Sequence, residues 1–259
     1  MPETLLLGFC AFGASLLTFF CGFGLGTLLL PVFACFMPLD RAVAATAVVH
    51  FVNGLFKWVL VGRFADRRVV LVFGIPAIVA AMVGAEVLSR LPDQGRLFEW
   101  TLGTHTFGPT AARGLVGLLL GVMVVLESGT AFDRIRTGGT RTLVIGGLLS
   151  GFFGGVSGLQ GALRSAFLSK QGLSKEAFVA TGAVIAACVD VSRLGIYASD
   201  WRRHADDIRW VPVFVAVVGA LIGARVGATY LRKVEGAMVS RCVGAALLVM
   251  SAAMMVGLV

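Results

Sequence analysis

Thr46, His50, Asn53 and Lys57 recur at i, i+4, i+7 and i+11 inside an apolar run, so a helix over 41–62 carries all four on one face. A hydroxyl, an imidazole, an amide and an ammonium in one stripe suit protein or water, not lipid. Together they can hydrogen-bond and neutralise a small anion. A narrower reading makes His50 and Asn53 an interhelical hydrogen-bond pair and lets Lys57 reach the head groups past Gly62 and Arg63.

A second set lies in GFFGGVSGLQGALRSAF, residues 151–167, where Arg164 follows the glycine cluster GLQGA. A charge at the centre of a membrane helix costs about 2.5–3.5 kcal/mol on the insertion scale, so Arg164 needs a reason. Either it snorkels to the surface, or it faces a cavity opened where the glycines break the helix. In the cavity its planar fork suits an oxyanion, and the freed N–H groups of a half-helix add donors. Ser157 and Gln160 offer neutral hydrogen bonds in the same bend, and Gly161 offers backbone. The first half has a matching cluster, GFGLG at 22–26, so Gly24 and Gly26 join the expected binding site, as does Thr181, the counterpart of Thr46 about 135 residues on. Two cations, Lys57 and Arg164, converging on one cavity would hold a small anion.

Asp190 and Arg193 are i, i+3 neighbours and read first as an intrahelical ion pair. A carboxylate beside an arginine within a membrane can also exchange protons, which makes His50, Asp190 and Arg193 the candidates for coupling. No HExxH, GxSxG, P-loop or paired-carboxylate motif is present, so the chain does not read as an enzyme. The five cysteines and three histidines show no metal-ligand spacing, and neither metal nor cofactor is expected.

The elements that must position these residues are membrane segments. The 259 residues are 58% hydrophobic and only 14% charged, with mean hydropathy +0.91, whereas soluble domains are about one quarter charged. Eight apolar segments lie at roughly 4–36, 41–62, 69–90, 113–131, 142–168, 174–197, 210–232 and 237–258, separated by short charged stretches. The acidic N-terminus, MPETLLLGF, lacks the basic region of a cleaved signal, so the first segment reads as retained. A net charge of +8 is spread over many loops, where Lys and Arg fix topology and meet lipid head groups; nucleic acid is not an expected partner. Lys and Arg counts are nearly equal on the two sides, and the positive-inside rule gives no orientation.

The first and fifth segments, at roughly 40–50 Å if helical throughout, exceed the ~30 Å hydrocarbon core, and a glycine break or re-entrant bend absorbs the excess. The order of features then repeats. A glycine-broken segment precedes Ala42 and Thr46 in one half and Ala177 and Thr181 in the other. Pro76 and Pro212 open the third segment of each half, followed by AAMVGA and VVGALIGA. The expected fold is therefore an all-α polytopic membrane protein of two homologous four-segment repeats, 1–131 and 142–259, joined by a loop at 132–141. Glycine-interrupted segments in matching positions point to a transporter's substrate site.

These motifs resemble the sulfite exporter TauE/SafE family. GFGLGTLLLP at 22–31 is similar to its glycine-rich stretch ending in proline, with Leu25 in place of a glycine; GLQGALRSAF at 158–167 departs further, at Gln160, Ala162 and Phe167. The resemblance implies a multi-pass permease of a bacterial cytoplasmic membrane that moves sulfite, a sulfonate or another small anion. With no nucleotide-binding domain, transport would be secondary, driven by a proton, an ion or the membrane potential. The rivals are a passive anion channel and a non-transporting membrane subunit of a larger assembly. Expected partners are the anion, lipid, a coupling proton or ion, and a second copy in a homo-oligomer.

Overall fold

The computed structural model describes residues 2–18, 25–91, 95–128, 139–201, 210–230 and 236–259. Among these are ten α-helices: α1 Pro2–Leu17, α2 Leu25–Ala34, α3 Leu39–Val61, α4 Arg67–Arg90, α5 Ala111–Ser128, α6 Thr140–Ser157, α7 Gly161–Leu168, α8 Lys175–Trp201, α9 Trp210–Tyr230 and α10 Gly236–Val256. Four of them, α3, α4, α8 and α9, contain stretches long and apolar enough to cross a membrane. The outward faces carry exposed leucine, isoleucine, valine and methionine, such as Leu71, Ile75, Val79 and Met82 on α4, as a lipid-facing surface requires. The architecture is that of a polytopic helical membrane protein.

The apolar stretch 142–168 contains two helices. α6 ends at Ser157 because Gly158 adopts a left-handed conformation (φ +75°) and donates its N–H to Gly154 O; α7 begins at Gly161. In the stretch 4–36, α1 and α2 flank residues 19–24, which lie outside the described residues, Gly24 among them.

One feature differs from the sequence expectation. Pro212 sits in the first turn of α9, but Pro76 lies well inside α4, because the Asp66 carboxylate caps the helix upstream by accepting from Val69 N at 2.9 Å. The insertion after α4 also holds a short antiparallel hairpin, β1 Trp100–Leu102 and β2 His105–Phe107, a small addition to the helical fold. Gly103 turns the hairpin at φ +63°. Trp100 stacks on Phe107 at 5.0 Å and donates Nε1–H to Val256 O at 2.8 Å, tying the hairpin to the end of α10.

Helix packing crosses the chain. α4 packs on α6, α1 on α9, α3 on α8, and α5 on α10. At the α4–α6 seam, Gly147, Gly151 and Gly155 press against the carbonyls of Phe73, Ala77 and Ala81, so closely that a Cβ at Gly151 would collide with backbone. The α1–α9 seam is built alike, with Gly219 and Gly223 against the carbonyls of Gly8 and Phe12. In lipid, where apolar burial gives helices little drive to associate, such close backbone approach supplies van der Waals attraction. The site lies between these seams, where α3, α7 and α8 meet.

Candidate substrate site

α3 delivers His50, Asn53 and Lys57 to one cavity of about 170 Å³; α7 delivers Gly161, Arg164 and Ser165. Leu25 of α2 and the small residues Gly182, Ala183 and Ala186 of α8 complete the wall, their size leaving room opposite the polar groups. Lys57 and Arg164 are both only partly buried, and both line the cavity.

Behind the cavity wall runs a chain of hydrogen bonds. Arg164 Nη1 donates to Gln160 Oε1 at 3.1 Å, and Gln160 Nε2 donates to Asp190 Oδ1 at 3.0 Å. The same oxygen receives Arg193 Nε at 3.0 Å and Nη2 at 2.7 Å. The other carboxylate oxygen, Oδ2, meets His50 Nδ1 at 2.5 Å. Arg193 is the largest side chain fully buried among the described residues, and it also donates Nη1 to Gly154 O at 3.1 Å. Tyr197, one turn on, donates to Gly155 O at 2.5 Å. A buried ion pair is stable only where further hydrogen bonds compensate desolvation, and Asp190 and Arg193 have them.

The i, i+3 pairing of Asp190 with Arg193 is present as the spacing suggests. His50 makes an interhelical hydrogen bond to Asp190, 140 residues away. Asn53 is buried, and its Oδ1 has no partner among the described residues.

Gln160, Ser157, Thr181, Thr46 and Gly26, also expected in the site, are not among the residues that line the cavity. Gln160 is fully buried and holds Arg164 from behind. Ser157 donates to Phe153 O within its own helix. Thr181 accepts from Asp66 N at 2.9 Å, which fixes the start of α4. Thr46 is fully buried, with its hydroxyl unpartnered among the described residues. Gly26 is a close-approach position: a Cβ there would lie 2.7 Å from Gly158 O, so the start of α2 abuts the α6–α7 junction. The sequence reading missed Ser165 and Phe178 as lining residues; neither stands out by type. Among the described residues no three His, Cys, Asp or Glu side chains gather as a metal site.

Residues 7–254 match the sulfite exporter TauE/SafE family, and the chain belongs to that family. It is therefore a multi-pass membrane transporter of a small anion, not an enzyme. No curated protein matches the chain.

Proposed function

We propose that the protein is a secondary permease for a small sulfur-containing or organic anion such as sulfite or a sulfonate, acting in a bacterial cytoplasmic membrane. The observation that carries this reading is the convergence of Lys57 from α3 and Arg164 from α7 on one cavity, with Arg164 held in place by Gln160. The anion sits between them. Its oxygens take the guanidinium fork and the ammonium, and the N–H groups at the start of α7 add donors. Asn53, a lining residue whose buried Oδ1 has no partner among the described residues, orients it. Gln160, Ser157, Thr46 and Thr181 shape the support.

The site lies between two repeats, α1–α5 and α6–α10, within 1–131 and 142–259. Two observations support the duplication: each set runs helix, short helix and three further helices, and the seams are reciprocal, α1 on α9 and α4 on α6. α2 and α7, at roughly 15 and 12 Å, are too short to cross the ~30 Å core, in keeping with glycine-broken or re-entrant segments.

The test is uptake of radiolabelled sulfite, sulfate and methanesulfonate into proteoliposomes by the wild type, Arg164→Gln and Lys57→Gln. Saturable, trans-accelerated flux of one anion, lost in Arg164→Gln while the protein remains folded, is the expected result. Flux that does not saturate marks a passive channel. No flux of any of the three, or normal flux in both variants, overturns the reading.

A further inference from the structure

We propose that His50 is the proton-binding site of the transporter and that it carries one proton with each anion; the proposal rests on the anion reading above. Asp190 is fully buried, and its Oδ1 receives three N–H groups, two from Arg193 and one from Gln160. Those donors and the adjacent guanidinium hold it as a carboxylate. An ionised carboxylate can only accept, so the 2.5 Å contact at Oδ2 requires that His50 Nδ1 carry the hydrogen. With Nδ1 committed on one edge of the ring, Nε2 on the opposite edge is the atom left for the cavity, which His50 lines.

The charges around His50 make the proton and the anion interdependent. Lys57 faces it from its own helix, Asp190 and Arg193 from α8, and Arg164 from α7. α2 brings no titratable side chain, the one charged residue of α9, Arg225, is exposed, and the Tyr197 hydroxyl is committed to Gly155. Asp190 bridges Arg193 and His50, its Oδ1 on Arg193 and its Oδ2 on His50. A proton on His50 adds positive charge to the wall of the cavity that the anion enters, and the two opposite charges attract. Each ligand therefore raises the affinity for the other, as linkage requires. The step is a simple transfer: the Nε2 lone pair takes a proton from water on one side, an N–H bond forms, and after the anion leaves the proton returns to water on the other side.

The experiment uses the full-length protein in proteoliposomes, with sulfite, sulfate and methanesulfonate as probes and protein-free liposomes to subtract leakage of sulfur dioxide. Methanesulfonate carries no proton of its own at neutral pH. Two quantities are read: anion exchange at equal pH, which needs no net proton transfer, and accumulation driven by a pH gradient at zero membrane potential, with an internal pH dye. The wild type should accumulate the exchanged anion about tenfold per pH unit, the ratio for one proton per anion, with matching proton entry. His50→Gln should bring that ratio to unity even where exchange survives at a reduced rate. Wild-type exchange without proton movement, or a His50→Gln ratio equal to the wild type's, overturns the proposal and leaves the anion reading standing. No wild-type exchange of any probe overturns both. The wild-type proton count is decisive by itself if His50→Gln does not fold.

Discussion

Arg164 and Asp190 stand on different helices and share a single amide. Gln160 accepts from Arg164 Nη1 at 3.1 Å and donates to Asp190 Oδ1 at 3.0 Å, so the cavity-lining cation and the buried carboxylate are held in fixed relation. Gln160→Leu removes a hydrogen bond to a charged group, about 1.5–3 kcal/mol, and the anion KM should rise by roughly tenfold or more. Gln160→Glu should do worse, because a carboxylate there neutralises Arg164 and faces Asp190. Flux against concentration for the two variants checks this; unchanged KM in both would remove Gln160 as a positioning residue.

The buried pair of Asp190 and Arg193 governs stability. Asp190→Leu leaves Arg193 buried without its partner, a loss of about 3–5 kcal/mol. Asp190→Leu combined with Arg193→Met removes both charges and should lie closer to the wild type in Tm than Asp190→Leu alone. Thermal unfolding in detergent decides; if the double variant is no more stable than the single, the pair's electrostatics are not the dominant factor.

Glycines on different helix faces should respond with opposite signs. Gly151 lies against Ala77 backbone, and Gly151→Leu should separate α4 from α6 and abolish a monodisperse folded product. A Cβ at Gly195 meets nothing within 4 Å, so Gly195→Ala should stabilise α8 by about 0.5–1 kcal/mol. Size-exclusion profiles and Tm of the two variants measure the contrast.

Away from the cavity, Trp100→Phe keeps the ring stack on Phe107 but loses the bond to Val256 O. A stability loss of about 0.5–1.5 kcal/mol with an unaltered anion KM is expected. A changed KM would tie the hairpin to the transport cycle.

The polar stripe of α3 and Arg164 beside its glycines were legible in the sequence because polar groups in an apolar run are costly and stand out. Other features depend on distant partners. Nothing local joins His50 to Asp190, or Thr181 to the Asp66 backbone, since those contacts exist only once α8 packs against α3 and the start of α4. Thr181 illustrates the ambiguity: a threonine in an apolar helix can face a ligand or stabilise a helix start, and its type does not say which. The hairpin at 100–107 escaped for a different reason. Three-residue strands present too few alternations to be distinguished from a polar loop.

The reciprocal seams also set the order in which the chain can become complete during synthesis. α1 emerges well before its companion α9, which begins only at Trp210. At 5–20 residues per second, α1 waits roughly ten to forty seconds in the membrane before the surface that receives its Gly8 and Phe12 backbone exists. The first half is thus an unfinished object that keeps its small-residue face exposed to lipid until the second half arrives, and the two cannot be matured in sequence as separate units. Halves expressed from separate genes should assemble only when they are inserted together.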